Sequence, residues 1–160
     1  MSDLSVHFSS AKPDWATPWW LIRKCEARWG RFELDVCGTH ENAKAPCAWT
    51  PEQDGLKQPW RGMCWCNPPY GREIGKWVAR AAQQSADEGA QVVALLPART
   101  DTAWWHDYVA LASFIGFLRG RVRFEGAPAS APFPSAIVLW LPWLSDMRPF
   151  VEHLDWRAAQ

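Results

Sequence analysis

MCWCNPPYGREIGKWVARAAQQSADEGAQVVALLP, residues 63–97, reads as strand, turn, helix, strand. Met63-Cys-Trp-Cys is a short buried strand that runs straight into Asn67-Pro68-Pro69-Tyr70-Gly71. Beyond that turn, Ile74, Trp77, Val78, Ala81, Ala82 and Ser85 recur at helical spacing, which predicts a helix over 72–88 ended by Gly89. Gln91 to Pro97 is then a continuous apolar run, the pattern of a central parallel strand covered on both faces.

Working outward from this unit, Thr17-Pro18 reads as an N-cap followed by proline at the first helical position. The helix after it places Leu21, Cys25 and Trp29 on one face and stops at Gly30. Phe32 to Cys37 alternates like a strand and ends in Gly38-Thr39, while residues 40–60 are irregular, with Asp54-Gly55 as a turn. On the other side, Asp101 is expected to cap a helix carrying Trp104, Trp105, Tyr108 and Leu111. Ile115–Phe124 and Ser135–Leu141 read as strands around a Pro-rich loop, and a short helix is expected after Ser145. Residues 1–14 read as a flexible arm and 15–160 as the folded domain. Alternating strands and helices predict an α/β fold with a mostly parallel sheet and an antiparallel C-terminal edge strand. In such sheets ligands sit at the carboxyl ends of the strands, so Asp35-Val-Cys-Gly-Thr and Asn67-Pro-Pro-Tyr should share one rim.

Composition narrows the function classes. The 160 residues fit one domain and leave little room for a second recognition domain. With 48% apolar residues the chain is too hydrophobic for disorder, and no apolar run is long enough for a membrane span. No secretory signal is read at the N-terminus, so a cytoplasmic protein is expected. Seventeen basic residues balance 17 acidic ones, which argues against an indiscriminate polybasic nucleic-acid binder. Five cysteines are an odd number for a disulfide framework. Cys37, His40, Cys47 and Cys64 fit no usual zinc spacing, so no metal is expected and reduced thiols are the better reading. Tryptophan is unusually frequent, at 13 residues, and part of the excess flanks the expected rim: Trp15, Trp19 and Trp20 beside Thr17-Pro18, and Trp104 and Trp105 after Arg99-Thr-Asp-Thr.

Asn67-Pro68-Pro69-Tyr70 carries the chemistry. Two prolines fix φ and remove two backbone donors, leaving a stiff strand end with outward carbonyls. The Asn67 side-chain oxygen and the Pro68 carbonyl would form a paired acceptor beside the Tyr70 ring. A planar exocyclic amino group fits: acceptors on both N–H bonds favour a pyramidal nitrogen whose lone pair is free to attack. Such a site acts by positioning and by preorganised dipoles. The plain structural alternative is a proline-terminated strand with Tyr70 packed on the core.

The ordered set Thr17-Pro18, Phe32-Glu-Leu-Asp-Val-Cys, Thr50-Pro-Glu-Gln-Asp-Gly-Leu, Trp65-Cys-Asn-Pro-Pro-Tyr-Gly, Leu96-Pro-Ala-Arg-Thr-Asp-Thr, Gly120-Arg-Val-Arg-Phe and Ala131-Pro-Phe-Pro-Ser resembles the phage-type DNA N6-adenine methyltransferases over roughly residues 15–141. These are small Dam-like enzymes that use S-adenosylmethionine, on a compact Rossmann-like class I methyltransferase sheet. The resemblance implies that Asn67, Pro68, Pro69 and Tyr70 hold the target adenine amino group. It implies cofactor contacts at Asp35, Cys37, Gly38 and Thr39, with Thr17 and Pro18 over the methionine part. A carboxylate at a strand end suits the cofactor's positive group, and glycine lets the backbone approach closely. Many relatives in the wider fold carry a second glycine in this first loop, and here His40 stands nearby instead; Asp54 or Glu41 are the candidates for the ribose.

Arg99, Thr100, Asp101, Trp104 and Arg121 are the candidate substrate contacts; Asp101 is equally readable as a plain helix cap. Arg119, Arg121 and Arg123 alternate as if along one strand face, suited either to a phosphate backbone or to a solvated sheet edge. His106 and His153 read as ordinary surface residues. Zero net charge predicts weak, salt-sensitive DNA binding on a local basic patch. Adenine must leave a duplex to reach Tyr70, so base flipping or a single-stranded substrate is expected. Protection of phage DNA from host restriction is implied by the resemblance alone. Two alternatives stand beside this reading: methylation of another planar amino group (a protein glutamine or an RNA base), or an inactive nucleic-acid-binding remnant.

Overall fold

The computed structural model describes residues 15–144 and 149–156, so the expected N-terminal arm lies outside the described residues. Its elements are α1 (Trp19–Trp29), β1 (Leu34–Asp35), β2 (Cys47–Ala48), β3 (Met63–Cys66), α2 (Ile74–Glu88), β4 (Gln91–Pro97), α3 (Ala103–Asp107), β5 (Phe114–Leu118), β6 (Ser135–Trp140) and β7 (Phe150–Leu154). One sheet orders them β2-β1-β3-β4-β6-β5-β7.

The β3–α2–β4 unit forms as its periodicities dictate. All four residues of β3 are buried, and β4 is buried from Val92 to Pro97. Strand alternation sends Cys64, Cys66, Val92, Ala94 and Leu96 to one face, where Ile74, Trp77, Val78 and Ala81 of α2 cover them. Met63, Trp65, Val93 and Leu95 face the other side, against Leu21, Ile22 and Cys25 of α1. Each large side chain buried this way contributes about 1.5–3 kcal/mol. The β1 ladder reaches beyond its two regular residues, since the Glu33 amide donates to the Met63 carbonyl and the Val36 amide to the Trp65 carbonyl.

Strands β1, β2, β3 and β4 are mutually parallel; β6 is antiparallel to both β4 and β5, and β7 is parallel to β5. The antiparallel strand therefore lies inside the sheet, not at the C-terminal edge expected from the sequence. The missing helix between β5 and β6 forces a reversal of direction, but it does not say on which side of β5 the returning strand inserts. β6 fills the gap between β4 and β5, where all six of its residues are buried. The edge belongs to β7, whose pattern is mostly exposed. A strand, not a helix, thus ends the described chain; residues 145–148, where the helix was expected to begin, lie outside the described residues. No helix among the described residues is long and apolar enough to cross a membrane.

Three local expectations are corrected. β5 stops at Leu118, so Arg119, Arg121 and Arg123 lie in the long segment that follows it and not on a strand. Thr102, not Asp101, is the N-cap of α3, and no side chain caps that helix. Pro18 itself occupies the N-cap of α1, because the Thr17 hydroxyl is engaged by Asn67.

Candidate active site at the strand ends

Parallel β1, β3 and β4 deliver their carboxyl ends to one rim, with Asp35 and Cys37 beside Asn67. A cavity of about 260 Å³ opens there. That is near the lower end of the ~300–1,000 Å³ usual for small-ligand sites. Seven of its lining residues are ones the sequence had singled out: Thr17, Asp35, Cys37, Thr39, Asn67, Pro68 and Pro69.

The orientation of Asn67 follows from its neighbours. Its Nδ2 lies 2.6 Å from the Trp15 carbonyl oxygen and 3.0 Å from Thr17 Oγ1. A carbonyl can only accept, so the amide nitrogen must face it and the oxygen must face away. Oδ1 is buried and has no hydrogen-bond partner among the described residues. A buried acceptor without a donor costs about 1–3 kcal/mol, so an added donor at this atom would be stabilising. The Cys37 thiol donates to the Asn67 carbonyl at 3.0 Å and pins the end of β1 to the motif. Burial, with Cys66 beside it, pushes that thiol well above its ordinary value.

Tyr70 donates its hydroxyl to the Leu95 carbonyl at 3.1 Å, and burial keeps the phenol protonated by raising its pKa well above the usual range. Its ring meets Phe133 and Phe124 edge to face, with centroids at 5.3 and 6.2 Å. Trp15 joins the same cluster through Phe124 at 5.1 Å. Phe124 and Phe133 come from the segment between β5 and β6; Phe133 lies within the Ala131-Pro-Phe-Pro-Ser stretch, but nothing in its spacing assigns it to Tyr70.

Asp35 is buried, and its two oxygens accept the backbone N–H groups of Cys37 (3.2 Å) and Lys44 (2.9 Å). Desolvation pushes its carboxyl up to about 6 against the opposing pull of those bonds and of the Lys44 charge. A Cβ on Gly38 would lie 3.0 Å from this carboxylate and 3.3 Å from the Ala43 Cα, so a side chain there would crowd the loop that closes over it. Thr39 and Asn42 lock the loop, the Thr39 amide donating to Asn42 Oδ1 and the Asn42 amide to Thr39 Oγ1.

Lys44 was missed by sequence reasoning. It lines the cavity with its side chain only 3% exposed, reaches Glu125 at 3.0 Å and sits 4.4 Å over the Trp19 ring. A lone lysine in an irregular stretch carries no signal of burial, because lysine is usually exposed.

The chain matches the model of the family described as DNA N-6-adenine-methyltransferase (Dam) over residues 5–153. It belongs to that family. Among curated relatives of this Dam-family chain, the DNA N-6-adenine-methyltransferase of Haemophilus phage HP1 (strain HP1c1) is 38% identical over 118 residues, covering 72% of this chain and 68% of the relative. A protein of the same name from Escherichia phage T1 is 34% identical over 93 residues, covering 57% of this chain and 38% of the relative.

Tyr70, Gly38 and the remaining expected site residues of this Dam-family chain do not line the cavity. Pro18 is buried behind Thr17. Asp54 sits in its turn with φ 56°, its carboxylate accepting from the Leu56 amide and paired with Lys57 at 2.9 Å. Glu41 is exposed on the loop after β1. Arg99, Thr100 and Asp101 are exposed just beyond the end of β4, on the same rim as Asn67. Trp104 packs over Gly75 in the first turn of α2. Arg121 lines a separate cavity. Trp15 and Trp65 line the main cavity, while Trp19 and Trp20 do not.

Proposed function

We propose that this site transfers a methyl group from S-adenosylmethionine to the N6 atom of an adenine in DNA. The observation that carries the reading is Asn67 Oδ1, a buried acceptor with no donor of its own among the described residues, fixed at the end of β3 by Trp15 and Thr17. The parallel strands, the single inserted antiparallel strand and the helices on both faces support a Rossmann-like, class I methyltransferase sheet.

The residues present fit the cofactor. The cavity combines a buried carboxylate, two polar side chains at Thr39 and Asn42, and apolar walls from Trp15, Trp65 and Pro51. That donor set suits a ligand carrying a cation, hydroxyls and a heteroaromatic ring. Asp35 would hold the ammonium group, since each carboxylate oxygen keeps a lone-pair site beyond its backbone bond. Thr17, Pro18, Cys37, Gly38 and Thr39 would surround the methionine part. Asp54 and Glu41 remain the candidates for the ribose, although neither lines the cavity.

The cofactor supplies an electrophilic methyl group on a sulfonium. Asn67 Oδ1 and the Pro68 carbonyl accept the two N–H bonds of the adenine amino group and draw its lone pair out of the ring. With the cofactor bound, the freed lone pair would take its methyl group, the sulfur would depart as the neutral thioether, and the amino group would release its surplus proton to water. Preorganised acceptors supply the catalysis, with no strong base required. Tyr70, held in a cluster with Phe124 and Phe133, would offer an aromatic face to the base, which enters unstacked from its strand. Arg99, Thr100, Asp101, Trp104 and Arg121 are proposed to meet the DNA. With zero net charge, that contact should be local, weak and salt-sensitive.

Incubation of the protein with methyl-labelled cofactor and DNA, RNA or protein tests the reading. Label is expected in N6-methyladenine of DNA. Label confined to RNA or to protein glutamine would replace it, and cofactor binding with no transfer at all would mark an inactive remnant.

Two further outcomes follow from the cavity. Cofactor binding is expected to change tryptophan fluorescence, because Trp15 and Trp65 line the space; an unchanged spectrum at saturation would contradict the placement. Binding should also depend on pH through Asp35. Its folded value of about 6 lies above the unfolded ~3.9, so the folded state holds this proton more tightly. That contribution to stability is present below about 4, is lost as pH rises to about 6, and stays absent above. A cationic ligand needs the ionised form. Calorimetric affinity should therefore rise by up to about tenfold per unit toward pH 6 and level off above it. Asp35→Asn should bind weakly at every pH; a wild-type profile flat from pH 5 to 8 would remove Asp35 from the cofactor site.

A further inference from the structure

A second cavity, of about 150 Å³, is lined by Trp20, Leu118, Arg119, Arg121, Arg123 and Trp156 among others. We propose that it binds one nucleotide of the DNA strand next to the target adenine, with the phosphate on Arg121 and Arg123 and the base against Trp20 and Trp156. This rests on the proposed function and names a subsite for that substrate.

Position is the first support. β5 and β7 run in the same direction as β1, β3 and β4, so their carboxyl ends, and this cavity, share the rim that carries Asn67. The segment that starts in the cavity at Arg119 continues to Phe124 and Phe133, which touch Tyr70. The Glu125 amide then donates to the Ala16 carbonyl at 2.9 Å, beside the Trp15 and Thr17 groups that orient Asn67. One stretch of backbone thus connects the two cavities.

Chemistry is the second. Val122 and Phe124 are buried while Arg119, Arg121 and Arg123 are exposed, so the extended segment anchors itself through alternate side chains and turns its guanidiniums outward. Arg119 is paired with Asp155 at 3.2 Å, and Arg123 spends only Nε on the Ala127 carbonyl, at 3.2 Å. A guanidinium has five donors in a fork that matches phosphate oxygens, so these contacts leave donors for a ligand. In a chain of zero net charge, three arginines around one cavity are a local concentration of positive charge. Trp20 and Trp156 pack on the core and are only partly buried, so each also presents ring surface to the cavity, on which an unstacked base can stack. Trp156 is steadied by Trp29, with centroids 6.0 Å apart.

The test uses single-stranded oligonucleotides with one adenine, full-length or trimmed one nucleotide at a time from either side. Affinity is read by fluorescence anisotropy and transfer by label in N6-methyladenine. For the wild type, losing one particular flanking nucleotide should weaken binding roughly five- to a hundredfold, the range for one stacked base. Trp156→Ala should lose a similar factor on the full-length strand and nothing further on the trimmed one. Arg121→Ala, at an exposed position, should lower the slope of log affinity against log salt by about 1, and Arg121→Lys should restore it. Equal losses on both strands, or wild-type affinity and salt slope in both variants, would overturn the subsite. Absence of label from adenine with the wild type would instead overturn the proposed function, and the affinity pattern would still decide the nucleotide site.

Discussion

Asn67→Ala is expected to lower the rate of methyl transfer to DNA about 10²–10³-fold, the loss typical when one preorganised group that stabilises the transition state is removed. The substitution deletes Asn67 Oδ1, the acceptor proposed to hold the amino group. It also strips the Trp15 carbonyl and the Thr17 hydroxyl of their shared donor, so part of the effect could come from a loosened N-terminal segment. Asn67→Asp separates the two. It keeps an oxygen at the Oδ1 position but turns a second oxygen toward the Trp15 carbonyl, where the native nitrogen sits at 2.6 Å. That variant should lose thermal stability but keep more of the rate than Asn67→Ala does. Asn67→Ala should bind cofactor within a few-fold of wild type, because Asp35 and the Gly38 loop are untouched. A turnover rate within threefold of wild type would show that Asn67 Oδ1 does not contact the reacting group.

Gly55→Ala should have the largest effect on stability. A Cβ there would lie 2.0 Å from the Val36 carbonyl oxygen and 3.1 Å from the Trp77 ring. Neither backbone can yield cheaply. Val36 is held to β3 by its amide on the Trp65 carbonyl, and the Gly55 carbonyl accepts the buried Trp60 indole N–H at 2.8 Å. Overpacking against fixed backbone costs about 3 kcal/mol or more. For a domain of this size that lowers the thermal midpoint by roughly 6–12 °C. Gly75→Ala is the matched control: its Cβ would make ordinary contact with Trp104 at 3.5 Å inside α2, so the midpoint should hold or rise slightly. Circular dichroism melts of the two variants compare them directly, and equal midpoints would contradict the packing described at Val36.

Val36 also shows where sequence reading stopped. Asp54-Gly55 was legible as a turn because that dipeptide favours one, yet the need for glycine comes from a strand 19 positions earlier passing over it. Thr17-Pro18 was legible as a helix start, but Thr17 does not cap; its hydroxyl belongs to Asn67, 50 residues away. The alternation of Arg119, Arg121 and Arg123 was visible in sequence, and it proved to be an extended segment beyond β5, because period-2 burial does not require a sheet partner. Lys44 and Phe133 were not assignable at all, since each enters the site only through contacts with distant segments.

The sequence by itself determined the β3–α2–β4 unit, the buried faces of α1 and α2, and the meeting of Asp35 and Asn67 at one rim. Local periodicity sets which face an element buries, and parallel strands necessarily end on the same side. Only the tertiary structure decided that β6 inserts between β4 and β5, that β7 forms the edge, and that Trp15, Thr17, Lys44 and the segment from Arg119 to Phe133 converge on the motif. Those are long-range choices, made by the competition among all segments to bury apolar surface and satisfy polar groups at once, and no single stretch of chain contains them.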